Sequence, residues 1–206
     1  MSQINGAILV LSGPSGAGKS SLIAKIIDDI GETYFSISTT TRPMREGERD
    51  GVDYYFVDKE EFEREVEEEQ FLEHALVHSN YYGTSIKPVK KALSEGKLVI
   101  FDIDVQGNNA IKNRLSDITT SVFISPPTLS ELKRRLIKRS TDSQEVIDRR
   151  VNMAKREIQR VSEYEYLLIN DDLDVAAQKL RLIAQTARLK KASEEINEFV
   201  QRWEDC

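Results

Sequence analysis

Residues 8–22, ILVLSGPSGAGKSSL, constrain this chain more than any other stretch. The apolar run from Ile8 to Leu11 has the composition of a buried strand. It leads into a glycine-rich turn, and the turn leads into an amphipathic segment. From Gly13 to Ser20 the turn reads G-x-x-x-x-G-K-S, a phosphate-binding loop pattern. Gly13, Gly16 and Gly18 can take positive φ and let the backbone approach a ligand closely. Successive N–H groups then converge on phosphate oxygens. A helix beginning near Lys19 adds its unpaired N-terminal donors and the positive end of its dipole. Lys19 is placed to reach the β- and γ-phosphates, and the Ser20 hydroxyl to hold Mg²⁺. A turn that merely packs is the bland alternative. The strand–loop–helix context favours a nucleoside triphosphate site.

The remaining chain must be compatible with that loop. With 206 residues, 39% hydrophobic and 31% charged, it can bury one core that carries inserted segments. No run of about 18 apolar residues occurs, so no membrane span is expected. Residues 1–6, MSQING, lack the basic and long apolar regions of a secretion signal. Cys206 is the only cysteine, so neither an intramolecular disulfide nor a cysteine metal cluster is expected. His74 and His78 fall in a strand-like stretch, and a metal role for them is not expected. A net charge of −6 disfavours general nucleic-acid binding. The cytoplasm is the expected location. Composition leaves the oligomeric state open.

Beyond the loop, Leu22, Ile23, Ile26, Ile27 and Ile30 recur at helical spacing, and Gly31 ends the helix. Residues 34–38 predict a second strand. Residues 39–51 are punctuated by arginine, glycine and proline and predict a loop, and Val52 to Val57 a short strand. Arg42 and Arg45 lie beside hydroxyl residues, with Tyr54 following. Loop arginines are ordinarily solvated, but this grouping suits a phosphate, which forked guanidinium and hydroxyl donors can bind together. Residues 59–70 are mostly glutamate, with Phe62 and Val66 on one face: a solvated helix. Residues 71–77 and 81–85 predict two strands joined near Ser79 and Asn80. Glu73 lies within the first, either on a polar face or aimed at a ligand. Residues 88–95 predict a short helix closed by Gly96.

The run from Leu98 to Asp102 is an apolar strand ending in a carboxylate, followed by Asp104. That is where a P-loop protein carries the acid that holds the Mg²⁺ shell. Ser121 to Ile124 predicts a further strand. Leu129 to Arg139 predicts a helix dense in Lys and Arg, then a polar turn, then a helix with the stripe Ile147, Val151, Ala154, Ile158 and Val161. These cations are either solvated charge or a lid that neutralises phosphate on closing. Leu167 to Ile169 predicts the last strand. Leu173 to Ala187, and Ile196, Phe199, Val200 and Trp203, predict amphipathic helices whose expected role is packing. Strands alternating with helices predict an α/β fold: a P-loop three-layer core with a parallel sheet. Residues 36–88 read as an insertion at one edge.

These motifs together resemble the guanylate kinase family over nearly the full chain. The loop at 13–20 is shared by many kinases. Thr40-Thr-Arg42 through Val57 is far more specific, and Glu73, Asn80-Tyr-Tyr-Gly-Thr84, Asp102 to Gly107 and Asn170-Asp-Asp172 follow in the family's order. The resemblance implies a core of residues 1–36, 89–126 and 161–206. It adds a small α+β GMP-binding insertion at 37–88 and a helical lid at 127–160. It implies that Gly13, Pro14, Ser15, Gly16, Ala17, Gly18, Lys19, Ser20 and Ser21 hold ATP. Arg135, Arg139 and Arg150 would close on its phosphates, and Asn170 would lie by the adenine. Ser38, Arg42, Arg45, Tyr54 and Tyr82 would bind the GMP phosphate. Glu73, Thr84 and Asp104 would bind guanine. Ser20 and Asp102 would hold Mg²⁺, largely through water. One departure is the lid turn, Arg139-Ser140-Thr141, where the family often has arginine-glycine-threonine.

The implied activity is ATP + GMP → ADP + GDP, with dGMP a further acceptor. Lys19, Arg42, Arg139 and Arg150 would be the catalytic cations. Neither nucleic acid nor membrane is an expected partner. The rival reading is a guanylate-kinase-like module that binds phosphorylated peptides without catalysis. Such modules typically have damaged P-loops, whereas Lys19, Ser20 and Asp102 are all present here.

Overall fold

The computed structural model describes residues 6–77, 79–138 and 143–204. His78, Arg139 with Ser140 and Thr141, and Cys206 lie outside the described residues. The central strand β1 (Ala7–Ser12) is buried along its whole length. Its side chains alternate between two apolar layers, as the period of a strand requires. Leu9 and Leu11 join the layer built with helices α1 (Lys19–Ile26) and α7 (Leu173–Ala187). Ile8 and Val10 join the layer built with α3 (Ile86–Ser94) and α4 (Val105–Leu115).

Strands β2 (Thr33–Phe35), β7 (Leu98–Asp102), β8 (Thr119–Ser125) and β9 (Tyr166–Ile169) complete the main sheet. Its order is β2-β7-β1-β8-β9, and every pairing is parallel. A parallel sheet covered by helices on both faces explains the near-continuous apolar runs of β1, β7 and β8. The carboxyl ends of β1 and β7 lie side by side, with Leu11 opposite Asp102. Ligands of open α/β sheets bind in such crevices.

A second sheet has the order β4-β3-β6-β5. It comprises β3 (Thr39–Thr40), β4 (Tyr55–Phe56), β5 (Phe71–Val77) and β6 (Asn80–Ser85). Helix α2 (Lys59–Glu67) packs on it and is N-capped by the Asp58 carboxylate, which accepts the Glu61 N–H at 2.7 Å. Phe62 of α2 is fully buried, stacked on Phe71 at 4.5 Å and on Tyr81 at 5.2 Å. Gly83 makes room for that stack, since a Cβ there would lie 2.8 Å from Phe71. Helices α5 (Leu129–Lys138) and α6 (Gln144–Glu157) share a separate small core of Leu132, Leu136, Ile147 and Ala154.

Several elements differ from expectation, each for a physical reason. The strand expected at 52–57 shrinks to two residues, and Val52 is exposed. There the N–H groups of Val52 and Asp53 both donate to the Arg49 carbonyl, closing a turn whose donors cannot also join a ladder. The second strand begins at Thr33 and ends at Phe35. Helix α6 stops at Glu157, so Ile158 and Val161 lie on a 3₁₀ segment (Ile158–Glu163) rather than on its stripe. The largest departure is α8 (Ser193–Glu204). Its apolar stripe was expected to pack, yet Phe199 is 59% and Trp203 74% exposed. Amphipathic spacing shows that a face is apolar but not what covers it.

Candidate active site

The P-loop connects β1 to α1. Gly13, Gly16 and Gly18 stand at φ 137°, 92° and 93°. At Gly13 the approach is closest: a Cβ would lie 2.0 Å from the Ile124 carbonyl oxygen. Gly16 is backed by Leu132 and Leu136 of α5. Helix α1 begins after Gly18 with no side-chain cap and no acid in its first turn, so its terminal donors and dipole remain available to an anion. Lys19 donates from Nζ to the Gly13 carbonyl at 2.6 Å and stands 3.5 Å from the Asp102 carboxylate. Burial pushes the Asp102 carboxyl up, and the Lys19 ammonium opposes that shift. Ser20 and Ser21 lie exposed in the first turn of α1. A Ser20 hydroxyl and a half-buried carboxylate at Asp102 are hard oxygen donors of the type a small divalent cation takes.

Two arginines from the α5–α6 pair reach this region. Arg150 donates to the Ser15 hydroxyl at 2.9 Å. Arg135 donates to the Asn170 carbonyl at 2.8 Å and to the Glu131 carboxylate at 2.6 Å. Asn170 itself is buried beneath the loop, where its side-chain amide donates to the Ala17 carbonyl at 2.8 Å.

The other candidate residues gather on the second sheet and the loop before it. Arg42 donates through Nη2 to both oxygens of Glu48, at 2.7 and 3.0 Å, and through Nη1 to the Pro43 carbonyl at 2.7 Å. Its guanidinium lies 5.4 Å from the ring centre of Tyr54 and 5.7 Å from that of Phe56. Tyr54 and Tyr82 meet edge to face at 6.0 Å, and Tyr82 is also a hydrogen-bond partner of Arg42. Arg45 contributes its backbone N–H to Glu48 at 2.8 Å, while its side chain extends into solvent. Ser38 accepts the Tyr55 N–H through its carbonyl, which leaves its half-buried hydroxyl to other partners.

Glu73 is neither a solvated strand residue nor unpartnered. It is half-buried and accepts the Thr84 hydroxyl at 2.6 Å. Burial raises its carboxyl above the usual carboxylate range; the Thr84 hydrogen bond opposes this and the Asp104 charge adds to it. Asp104 caps α4 by accepting the Gly107 N–H at 2.9 Å, which occupies one of its two oxygens.

Two acids absent from the sequence reading belong to this region. Glu48 is the partner that orients Arg42. It stood among the loop arginines, but nothing in its spacing set it apart from solvated charge. Glu157, the last residue of α6, is half-buried, and burial raises its carboxyl while Lys19 opposes the shift and Asp104 adds to it. It lies two helical turns beyond Arg150 and so shares its face, a relation that periodicity could have revealed.

A P-loop whose lysine stands beside a strand-end carboxylate, next to a sheet presenting an arginine–tyrosine cluster, defines a P-loop kinase acting on nucleotides. The family model for guanylate kinase matches residues 5–187. The guanylate kinase of Sulfurimonas denitrificans is 72% identical over 205 residues, covering 100% of both chains. That of Helicobacter hepaticus is 47% identical, covering 96% of this chain and 98% of its own. The crystal structure of guanylate kinase from Anaplasma phagocytophilum superposes with a TM-score of 0.72 at 32% identity, covering 92% of this chain and 90% of that one. The chain belongs to the guanylate kinase family, nucleoside monophosphate kinases that transfer phosphate from ATP to GMP. None of these relatives supports the inactive-module alternative. Among the described residues no helix is long and apolar enough to cross a membrane.

Proposed function

We propose that the protein joins ATP and GMP phosphate to phosphate across the carboxyl end of β7. The observation that carries this reading is the placement of two acids there. Asp102 stands 3.5 Å from Lys19 of the P-loop. Asp104, two residues on, caps α4, and its charge adds to the upward shift of the Glu73 carboxyl on the second sheet.

In this reading the P-loop from Gly13 to Ser21 holds the ATP phosphates, and Lys19 spans the β- and γ-phosphates. Ser38, Arg42, Arg45, Tyr54 and Tyr82 hold the GMP phosphate, while Glu73, Thr84 and Asp104 read guanine. Guanine offers N1–H and N2–H donors, for which a carboxylate is the natural acceptor. Adenine presents a lone pair at N1 and repels it. Arg135, Arg139 and Arg150 belong to a lid, residues 127–160, that closes over the polyphosphate. Ser20 and Asp102 would hold Mg²⁺, which would neutralise polyphosphate charge when bound.

A GMP phosphate oxygen attacks the γ-phosphorus in line; the new O–P bond forms as the bond to the β-phosphate oxygen breaks, and ADP leaves. The nucleophile is already anionic near neutral pH, because a phosphate monoester has a second pKa of about 6. No general base is needed. Catalysis then consists of bringing two polyanions together, neutralising them and excluding water. The cytoplasm is the compartment proposed.

A coupled ADP-release assay with GMP, dGMP, AMP, CMP and UMP as acceptors tests this reading. GMP and dGMP should be turned over, and the others poorly. Comparable turnover of AMP or UMP would overturn the guanine reading.

A further inference from the structure

Asn170 is expected by resemblance to lie beside adenine, but its side chain is committed elsewhere. It is 3% exposed, and its own N–H donates to the Ser125 carbonyl at 2.8 Å, which fixes it at the end of β9. The side-chain amide then donates to the Ala17 carbonyl at 2.8 Å. It also fills the space beside Gly18, where a Cβ would lie 2.3 Å from Nδ2.

The Ala17 carbonyl and the Gly18 N–H belong to one peptide unit. In a trans peptide these two groups point in opposite directions. A donor that holds the Ala17 carbonyl toward β9 therefore turns the Gly18 N–H away from β9, to the open side of the loop. We propose that Asn170 is a positioning residue of the P-loop. It sets the direction of the Gly18 N–H, and through it the affinity for polyphosphate, without contacting the base. The brace continues outward. Arg135 donates to the Asn170 carbonyl at 2.8 Å and is itself held by Glu131 at 2.6 Å. The proposal rests on the reading that the P-loop holds the ATP phosphates.

Calorimetric titration of the whole protein with Mg²⁺–ATP, Mg²⁺–tripolyphosphate and GMP separates the possibilities, since tripolyphosphate has no base. Two variants are compared with the wild type: N170A, and N170D, which keeps the shape and loses the donor. N170A should weaken ATP and tripolyphosphate by the same factor, roughly tenfold, the loss expected for one buried hydrogen bond. N170D should weaken both at least as much, because it also places a negative charge under the loop. GMP affinity should not change in either. Should N170A fail to fold, N170D decides alone.

Loss of ATP affinity with tripolyphosphate binding intact would assign Asn170 to the base and overturn the proposal. So would unchanged affinities for both, or an equal loss for GMP, which a brace on the donor side cannot cause. Wild-type protein that ignores tripolyphosphate would instead overturn the P-loop reading itself.

Discussion

The P-loop and the arginine loop of residues 39–57 are both suited to phosphate, but they are held in shape by different means. The P-loop aims backbone dipoles. Its supports are buried: the Ile124 carbonyl against Gly13, Leu132 and Leu136 against Gly16, and Asn170 beneath Ala17 and Gly18. The arginine loop aims a charged side chain. Arg42 is oriented by Glu48 and the Pro43 carbonyl, with Tyr54 and Phe56 against its guanidinium, on a loop whose residues are mostly exposed. Backbone dipoles held by buried contacts need no reorganisation when charge develops, whereas a part-buried ion pair between two side chains, Arg42 and Glu48, can re-form around a ligand. The P-loop is therefore preorganised and the arginine loop is assembled from side-chain pairs.

Lys19→Ala should cause the largest effect. Lys19 is the one cation that the P-loop sequence places on the transferring phosphoryl group, and its removal should lower turnover on the order of a thousandfold. GMP affinity, measured by calorimetry, should stay close to wild type because the Arg42, Tyr54 and Tyr82 cluster proposed to hold GMP belongs to the second sheet and its loop. A large loss of GMP binding would mean that the two sides are not separable.

Two glycines test the difference in support directly. Gly18 and Gly47 have nearly the same backbone, φ 93° and 86°. A Cβ on Gly18 would meet Asn170 at 2.3 Å, while one on Gly47 meets nothing within 4 Å. Gly47→Ala should cost only left-handed strain, about 1–2 kcal/mol in a denaturant titration. Gly18→Ala adds a clash inside a buried brace and should cost roughly 3 kcal/mol or more, with loss of ATP binding. Equal costs at the two positions would erase the contrast.

Glu73→Gln should act next. The Gln side chain can still accept from Thr84, but it no longer presents a full carboxylate to guanine. The ratio of kcat/KM for GMP over AMP should fall by roughly tenfold to a hundredfold, as buried groups go unpaired. The same variant has a stability signature. A carboxyl whose folded pKa lies above its unfolded value favours folding when protonated. That contribution is complete below the unfolded pKa and is lost as pH rises through the folded one. At neutral pH wild-type Glu73 is therefore a cost, and Glu73→Gln should melt at a higher temperature. The difference should vanish in acid, where Glu73 is protonated. A lower melting temperature at pH 7 would mean that the carboxylate is better satisfied than its burial implies.

The parts legible in the sequence were those whose signal is local. The P-loop glycines, the buried alternation of β1 and the carboxylate ending β7 all follow from contiguous residues with one physical task. The short strands of residues 36–88 read as an insertion at one edge, and the family resemblance implied that it is a small α+β unit. What could not be read depends on partners far along the chain. Asn170 meets Ala17 across 153 residues, and no pattern near either position announces it. The strand expected at Val52 lost to a turn in which Val52 and Asp53 donate to the Arg49 carbonyl, a closure that composition does not announce. The α8 stripe has clear amphipathic spacing and still lies uncovered. Arg139 and His78 fall outside the described residues, so their expected roles remain those of the sequence alone.

Glu48→Gln is the finest probe of the comparison and the smallest in effect. Arg42 has five N–H donors; Glu48 engages it through Nη2, one Nη1 hydrogen goes to Pro43, and Tyr82 is a further partner. Enough donors remain for a phosphate to be bound without releasing Glu48, so Glu48 acts as an orienting partner rather than a competitor. Its removal loosens Arg42 and the Arg45 backbone that it also holds. It also removes a negative charge near an incoming dianion, which offsets part of that loss. KM for GMP should rise only a few-fold, with kcat and ATP affinity unchanged. The rise should depend little on salt, because the Arg42 and Glu48 side chains are only 10% and 20% exposed and a part-buried pair is screened much less. A fall in KM would show instead that the phosphate must evict Glu48, and that the acceptor clamp is held shut by its own carboxylate until GMP arrives.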